Sequence, residues 1–478
     1  MYLHGAYGQL IPTQDTLPPS GVATLPVYIG TAPVQQIIDY SNVVNKPILI
    51  NSFDEAKSKI GYSDDWKTFT LCEAVFAHFR NKIQPIGPIA VINVMNPDLH
   101  TKSGTSSVQL INKKGFISVP AILSSIEIEG KVKGADFNAE YTTDGRILIT
   151  DLSGTLVTPV TVNFEEMDVT KITDSDLIGG IDSNGNRSGL KSIELVYQTF
   201  GTVPSILAAP GWSQKPAIAN AMISAVQKIN GHWDAIAIAD IDSNVAKTVD
   251  SAKTWIDTNS YRSNVLKVCW PKVRSGDNEF WLSTLTSLCM QQTDYTNDNV
   301  PYESPSNKKL DIIATVANNA VIAFDELQGN DLNASGITTV NYRAGNWVLW
   351  GPHMSNYKFS DDTIAPEKIF DCSARMGCFL MNTFQKKYAL DIDTYLNRTH
   401  VDTILNDAQI WLNSLVADGK ILYAKILFNE TSNPVSSIIE GDFTFDVKTT
   451  YTPPGKSLTF KIQYTNKGLE SLTGGENA

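Results

Sequence analysis

Apolar and polar residues alternate along two stretches near the end of the chain, "GDFTFDVKTTY" and "KSLTFKIQYT". This period-two alternation predicts half-buried β-strands. The apolar members are Phe443, Phe445 and Val447 in the first stretch and Leu458, Phe460, Ile462 and Tyr464 in the second. The stiff tripeptide Pro453-Pro454-Gly455 separates the two stretches, and the pattern alone does not say with which strand the second one pairs.

The pattern between residues 21 and 97 predicts a strand, helix, helix, strand unit. "GVATLPVYIG" and "GPIAVINVMN" are apolar enough for buried strands. Between them, "SFDEAKSKIG" predicts a helix with Ser52 as N-cap, Glu55 completing a capping box and Gly61 ending it. A second helix is predicted in "TFTLCEAVFAHFRNKI", where apolar residues recur every fourth position.

Residues 98–190 have a different pattern of apolar and polar residues, in which short alternating stretches are separated by Gly, Asp, Asn and Ser. Examples are "GFISVPAIL", "SSIEIEGKV", "RILIT" and "TPVTVNFE". Such spacing is typical of a small all-β module. Helix and strand patterns resume after it, so we interpret the module as an insertion into a larger domain.

Residues 191–395 return to alternating helices and strands. "PSILAAP", "DAIAIAD" and "NVLKVCW" predict buried strands joined by amphipathic helices, followed by the strand "NWVLWGP" and a helical stretch near 366–388. Such units form βαβ crossovers over a parallel sheet. The predicted fold class is an α/β core, a mixed sheet with helices on both faces, carrying an inserted small all-β domain and extended N- and C-terminal arms.

A helix predicted over residues 400–417 has the clearest period in the chain. Its apolar stripe contains Val401, Ile404, Leu405, Ala408, Trp411, Leu412 and Leu415. The opposite face carries Asp402, Asn406, Asp407 and Asn413. The predicted segments are therefore an arm at 1–20, core at 21–97, an insertion at 98–190, core at 191–395, a C-terminal part at 396–452 and an arm at 453–478.

Composition excludes several classes of protein. The net charge of −12 and the absence of a basic run argue against direct binding of nucleic acid. No apolar run approaches the roughly 20 residues that cross a bilayer, and the first 21 residues lack the features of a signal peptide. Five cysteines without a C-x-x-C pair indicate reduced thiols. We therefore expect synthesis in a cytoplasm and no membrane insertion.

The strand ends offer no recognisable catalytic, cofactor or metal site. The turn "GWSQKP" after "SILAAP" has neither a G-x-G-x-x-G nor a phosphate-loop pattern. Asp240 and Asp242 could hold a ribose or a metal, but the favoured interpretation is that they cap the following helix. Ser213 lies in no nucleophile elbow, so a turn or cap role is expected. The six histidines are scattered singly, without ligand spacing.

Several segments, in order, resemble contractile tail sheath proteins. They are "SFDEAKSKIGYSDDWKTFTLCEAVFAHFRNKIQPIGPIAVINV", "SILAAPGWSQKPAIANAMISAVQKINGHWDAIAIADID", "WVLWGPHM" and "TYLNRTHVDTILNDAQIWLNSLVADGKILYAKILFNETSNP". Together they cover most of the chain except residues 98–190, where family members carry variable outer insertions. Two departures stand out: "PPGKS" replaces the usual acidic residue after the last proline, and paired arginines appear only as Asn397-Arg398.

The resemblance implies a subunit that stacks in hexameric rings around a tail tube and contracts to drive the tube through a cell envelope. It also implies partners, namely the tube, baseplate and tail terminator proteins, and a place in the tail of a virion or bacteriocin particle made in a host bacterium. By this resemblance the first terminal stretch belongs to the subunit's own sheet, and the second pairs with a neighbour.

The resemblance further assigns subunit contacts to both arms and tube contacts to the C-terminal part. The arm residues are Tyr2, Leu3, Tyr7 and Leu10 at the N-terminus, with Phe443, Phe445, Val447, Leu458, Phe460, Ile462 and Tyr464 at the C-terminus. The tube-facing candidates are Asp402, Asn406, Asp407 and Asn413, for which a plain solvated face is the alternative. The rival functions are an α/β enzyme that binds a small ligand at the strand ends, and a surface-layer or adhesin protein.

Overall fold

The computed structural model describes residues 24–142 and 144–473. The N-terminal arm residues Tyr2, Leu3, Tyr7 and Leu10 lie outside the described residues, as does His4. Within the described ranges, no helix is both long enough and apolar enough to cross a membrane.

Strands and helices follow one another along the whole described chain. The strands are β1 (Leu25–Gly30), β2 (Pro47–Ile50), β3 (Ile89–Asn93), β4 (Thr101–Val108), β5 (Lys114–Ile117), β6 (Phe137–Tyr141), β7 (Ile147–Asp151), β8 (Val160–Met167), β9 (Pro204–Ala208), β10 (Ile236–Asp240), β11 (Leu266–Cys269), β12 (Lys272–Ser275), β13 (Asn278–Phe280), β14 (Ala314–Ala317), β15 (Ala320–Ile322), β16 (Ile337–Arg343), β17 (Asn346–Trp350), β18 (Ile421–Leu427) and β19 (Asp446–Tyr451). The α-helices are α1 (Phe53–Ile60), α2 (Thr70–Arg80), α3 (Asp174–Ile178), α4 (Val196–Phe200), α5 (Pro216–Ala225), α6 (Val249–Thr258), α7 (Leu282–Thr296), α8 (Glu326–Ala334), α9 (Asp371–Lys387), α10 (Arg398–Ala417) and α11 (Val435–Glu440).

An eight-stranded mixed sheet forms the centre of the molecule, in the order β17-β16-β11-β10-β9-β1-β3-β2. Its inner neighbours are parallel, and only the edge strands β2 and β17 run antiparallel to their neighbours. The succession β9, α5, β10, α6, β11 places each crossover between adjacent parallel strands. These strands are mostly apolar because both faces of the sheet are covered.

Alternate residues of the strands enter two different hydrophobic clusters. On β10, Ala237 and Ala239 face the cluster that includes α5 and α6, whereas Ile236 and Ile238 face the cluster that includes α7. Since side chains of a strand alternate between its two faces, helices lie on both sides of the sheet. The predicted mixed sheet with helices is confirmed.

Three local predictions need correction. β2 was missed because four residues at a sheet edge are too few to show a period. "SSIEIEGKV" forms no strand: Ile126 and Ile128 are buried, but backbone pairing is limited to a bridge at Glu127. In α1, Ser52 accepts from the Glu55 amide as predicted, yet the Glu55 carboxylate accepts from the amide of Asn51, one residue before the cap.

Residues 101–167 form two small sheets with a hydrophobic cluster of their own. β4 pairs with β8, and β5, β7 and β6 form a three-stranded antiparallel sheet. The cluster between them includes Ile117, Ile149 and Val162. Residues 172–193 do not share it, since Ile172 and Leu177 pack in the main core.

A C-terminal unit is built from α9, α10, β18 and β19. Val401, Ala408, Leu412 and Leu415 of the predicted stripe on α10 are buried, and the other members are half-buried. The helix begins two residues before the predicted range, because Asn397 caps it through a bond from the amide of His400. Most of this stripe joins a cluster with α9 and the two strands.

Helix α9 joins this unit to the central sheet through two buried ion pairs. Lys267 on β11 lies 2.7 Å from Asp371, and both side chains are fully buried. One turn further on, Arg375 forms a buried ion pair with Asp294 on α7. A buried charge that loses its partner costs about 3–5 kcal/mol, so both pairs fix the position of α9 on the core.

Candidate functional site

The carboxyl ends of the central strands, where α/β enzymes bind ligands, are occupied by the N-terminus of the protein's own helix α7. Asp240, the last residue of β10, accepts a hydrogen bond from the Ser283 amide at 2.9 Å. It also contacts the Ser213 hydroxyl, which accepts from the Asp240 amide at 3.1 Å. Asp240 therefore caps a helix, but the distant α7 and not the following α6, which Thr248 caps.

A second buried carboxyl meets the same helix end. Glu73 on α2 accepts from the Trp281 amide at 2.9 Å and from the Thr284 hydroxyl at 2.7 Å. Burial raises the pKa of Glu73 to about 8 and the pKa of Asp240 to about 6. Sequence reasoning missed Glu73, although a lone acidic residue in the apolar run "TLCEAVF" was a signal for it.

The other polar residues singled out in the sequence do not form a catalytic or metal site. Asp242 accepts from the Asn244 amide in an exposed turn. Ser213 is buried and its hydroxyl bonds only within the Asp240 turn. His78, at the core, contacts the Tyr28 hydroxyl at 2.7 Å. Among the residues that the structure describes, no three His, Cys, Asp or Glu side chains are grouped to hold a metal ion.

The C-terminal unit contains a two-stranded sheet with an unpaired edge. β18 and β19 pair antiparallel, with Ile426 opposite Val447 and Ala424 opposite Thr449. Within residues 24–142 and 144–473, no strand pairs with the other edge of β19. An exposed strand edge carries unsatisfied N–H and C=O groups and is a template for another strand.

A cavity of about 1170 Å³ lies between the inner face of β19 and α9. We call it the β19 cavity. Its wall on the strand side includes Ile426 of β18 and alternate residues of one stretch: Phe443, Phe445, Val447, Thr449 and Tyr451. The helix side includes Gly377, Met381 and Phe384. The predicted strand begins later than expected, at Asp446, so Phe443 and Phe445 line the cavity from the loop before it.

The second terminal stretch is fully exposed and forms no strand in the single chain. Leu458, Phe460, Ile462 and Tyr464 are 78%, 84%, 95% and 78% exposed. A row of exposed large apolar side chains is typical of a surface that binds another protein. The pairing of this segment with a neighbour stays a prediction.

Of the tube-facing candidates, Asp402, Asn406 and Asn413 lie on the outer side of α10, whereas Asp407 faces the end of α9. Asp402 forms an exposed ion pair with Arg398 at 2.9 Å. Asp407 accepts from the Tyr388 hydroxyl and pairs with Lys387, both on or next to the end of α9. Asn406 and Asn413 are exposed. Their role in binding a tube stays a prediction.

Comparison with known proteins identifies relatives over nearly the full length. The chain is 23% identical over 471 residues to the tail sheath protein of Burkholderia phage BcepMu, covering 94% of this chain and 93% of that protein. The chain is a homologue of phage tail sheath proteins. It is also 28% identical over 313 residues to the tail sheath protein of Escherichia phage P2, covering 64% of this chain and 74% of that one. No family model matches the chain.

Two solved structures share the fold of this tail sheath homologue. One is a chain of the anti-feeding prophage baseplate, with a TM-score of 0.58, 12% identity, and coverage of 97% of this chain and 99% of that one. The other belongs to the contracted sheath complex of the extracellular contractile injection system PVC, with a TM-score of 0.57, 12% identity, and coverage of 98% and 100%. The relatives are structural sheath proteins, so the enzyme alternative is not supported and the prediction of a non-enzyme is confirmed.

The buried carboxyl of Glu73 predicts a specific pH dependence of stability. The pKa of Glu73 lies above its ordinary value in the folded protein, so stability falls as pH rises from about 4.5 to 8. Gln at this position keeps an acceptor oxygen and cannot ionise. We expect Glu73→Gln to gain on the order of 2 kcal/mol over the wild type between pH 6 and 9, measured by urea unfolding.

Asp240→Asn serves as the matched control, because the pKa of Asp240 is raised only to about 6. Its difference from the wild type should change between about pH 4 and 6 and stay level above that range. Parallel stability profiles for the wild type and Glu73→Gln from pH 6 to 9 would contradict the assignment of a protonated Glu73.

Proposed function

We propose that this chain is a structural subunit that polymerises as a contractile sheath around a tube and shortens to drive the tube through a cell envelope. Its homology to phage tail sheath proteins supports this role. The observation that carries the proposal is the unpaired edge of β19 next to an apolar cavity, in a chain that ends in an exposed alternating segment. A single copy therefore carries both an acceptor and a donor for strand exchange.

We infer that the subunits form rings of six that stack along the tube, with baseplate and terminator proteins at the two ends. The arms join neighbouring copies, the N-terminal one through Tyr2, Leu3, Tyr7 and Leu10 and the C-terminal one through the segment beginning at Leu458. A strand of about eight residues spans roughly 26 Å and adds about four to eight hydrogen bonds. Each contributes about 0.5–1.5 kcal/mol net, so one arm is worth several kcal/mol.

Strand exchange of this kind suits a sheath that changes length. The C-terminal arm is attached through an irregular segment, so it can stay paired while the folded bodies rotate and slide. Body-to-body contacts then differ between the long and short states and supply the energy difference between them. The arms keep the subunits linked during the rearrangement.

Truncation after Gly455 tests the arm mechanism. The shortened chain should unfold cooperatively at nearly the wild-type temperature, because residues 456–465 contribute no strand and no buried apolar side chain to the described fold. It should form no hollow tubes in negative-stain electron microscopy at concentrations and salt where the full chain does. Removal of residues 1–20 should act in the same way.

A matched control changes the other face of the same segment. Thr459→Ala with Gln463→Ala alters residues that alternate with the apolar ones, and tubes should persist. Tubes of normal repeat formed by the truncated chain would contradict the arm mechanism, and absence of tubes from the full chain under all conditions would contradict the sheath function.

We also infer that residues 101–167 are an inserted all-β domain on the outer surface. Its own hydrophobic cluster supports this inference, as does the pairing of Thr101 with Met167, which brings the two ends of the segment together. The segment contacts the core through Ile122 and Met167, which pack on the main hydrophobic cluster, and through a bond from the Tyr141 hydroxyl to the Gln35 carbonyl at 3.2 Å. The insertion that we propose is narrower than the range 98–190 predicted from the sequence.

Replacing residues 102–166 by two glycines tests this inference. The ends are neighbours in a ladder, so the short link should close without strain, and the shortened chain should fold and form tubes. Circular dichroism and electron microscopy would measure both properties. Complete loss of cooperative unfolding would show that the segment is part of the main core.

We place the contact with the tube on the exposed side of α10. Asn406→Lys with Asn413→Lys should reduce co-sedimentation of the sheath with its tube protein, because charged side chains at a packed interface must lose their water. Ser224→Lys, on the exposed side of α5 in the core, is the control and should have no effect. Equal binding by all three proteins would leave α10 as a plain solvated face.

A further inference from the structure

The exposed tail follows β19 directly, and yet it does not pair with the free edge of that strand. β19 ends at Tyr451, and the segment from residue 452 to 465 contains no strand. The shortest way to cover a strand edge is a hairpin made by the chain that leaves it. In the single subunit the free edge of β19 is therefore unpaired, although the tail has the alternating pattern of a strand.

The residues of the tail match the β19 cavity in the register of such a hairpin. If Pro453 and Pro454 were the two central residues of the turn, the tail would run antiparallel to the stretch before it. In that register Leu458, Phe460, Ile462 and Tyr464 would lie opposite Thr449, Val447, Phe445 and Phe443 respectively. Residues directly opposite each other in an antiparallel pair share one face of the sheet. The whole apolar face of the tail would therefore enter the cavity of its own subunit.

The turn is the one part of this hairpin that the sequence does not allow. Two-residue hairpin turns need a positive φ at the first central residue, and in type I′ also at the second. Proline holds φ near −65°, so neither Pro453 nor Pro454 can adopt it. Pro454 also keeps Pro453 extended, which disfavours a type I turn with Pro453 as its first central residue.

The structure is consistent with a tail that is directed away from β19. The chain bends at Gly455, after both prolines, where the Lys456 amide donates to the Pro454 carbonyl at 2.8 Å. The Lys456 ammonium lies 5.6 Å from the centre of the Tyr357 ring on the core. The tail therefore leaves over the core surface and not along the strand edge.

We propose that Pro453 and Pro454 prevent the tail from closing on its own subunit, and so reserve the β19 edge and its cavity for the tail of a second copy. We name the tail of a second copy as the occupant because its register and its apolar face match the β19 cavity. A tail from another copy can pair with β19 without making the turn. Exchange of identical segments between copies is the general result when a chain cannot close on itself. The inference rests on the proposed function, because it takes the second copy to be a neighbouring subunit of the sheath.

The full chain with Pro453→Asn and Pro454→Gly tests this inference, because Asn-Gly is the preferred type I′ turn. Closure within one chain competes at an effective concentration of about millimolar. We expect this variant to be monomeric by light scattering and to form no tubes. Its tail amides at 456–464 should exchange with solvent at least about tenfold more slowly than in wild-type monomer, and it should melt at a higher temperature.

Two further variants separate closure from other effects. Pro453→Ala with Pro454→Ala removes the rigid residues without supplying a positive φ, and it should still assemble. Adding Phe460→Lys and Ile462→Lys to the Asn-Gly variant should abolish both the slow exchange and the gain in melting temperature, because lysine cannot fill the apolar cavity.

A labelled peptide of residues 456–465 gives an independent measurement. It should bind saturably to wild-type monomer and not to the Asn-Gly variant, in which the site is already filled. An Asn-Gly variant with freely exchanging tail amides and wild-type peptide binding would overturn the inference, whether or not tubes form. Failure of the wild type alone to form tubes would overturn the proposed function and leave the exchange and peptide results to decide the inference.

Discussion

The attachment of helix α9 to the central sheet is the constraint on which the arrangement of the molecule depends. Asp371 and Arg375, one turn apart, reach fully buried partners on β11 and α7. A buried ion pair adds little net stability compared with well-packed apolar side chains, but displacing it leaves a charge without a partner in a dry interior. The pairs therefore act chiefly on position. They hold α9 in one orientation, and the C-terminal unit is packed on the other side of that helix.

The central sheet has the architecture of a ligand-binding α/β domain, and its strand ends nevertheless hold protein in place of a ligand. Asp240 and Glu73 satisfy amides at the start of α7, as an anion would at a helix N-terminus. Burial raises the pKa of Glu73 to about 8, which favours the protonated carboxyl at neutral pH. The end of the sheet at which α/β enzymes bind ligands is here a contact between structural elements.

The C-terminal unit has a closed hydrophobic cluster, but its sheet has an unpaired edge. Its apolar cluster is closed by α9 and α10, whereas β19 has an open edge and the adjacent cavity lacks side chains to fill it. In our proposal, the tail that would fill the space belongs to the same sequence, and Pro453 and Pro454 prevent it from pairing with β19 of its own subunit. In our proposal, the sheet of β18 and β19 lacks a strand until another copy supplies it. Assembly of the subunits therefore also completes this sheet.

The sequence by itself determined the elements whose signals are local. The cap at Ser52, the strands and helices from β9 to β11, the apolar stripe of α10 and the alternation in both terminal stretches follow from neighbouring residues. Period and capping depend on side chains three or four positions apart, and such contacts form in almost any context. The resemblance to sheath proteins likewise followed from the order of these segments.

Only the tertiary structure decided which distant residues meet. Glu73 and Asp240 converge on α7, which follows them by some 210 and 40 residues in the chain. Lys267 meets Asp371, and the odd-numbered residues from Phe443 to Tyr451 turn towards α9 to line a cavity. These contacts depend on crossovers and on the handedness of the sheet, which no local pattern records. From the sequence, the two prolines indicate only a stiff linker, and the role that we propose for them depends on the unpaired edge of β19 that the fold places beside them.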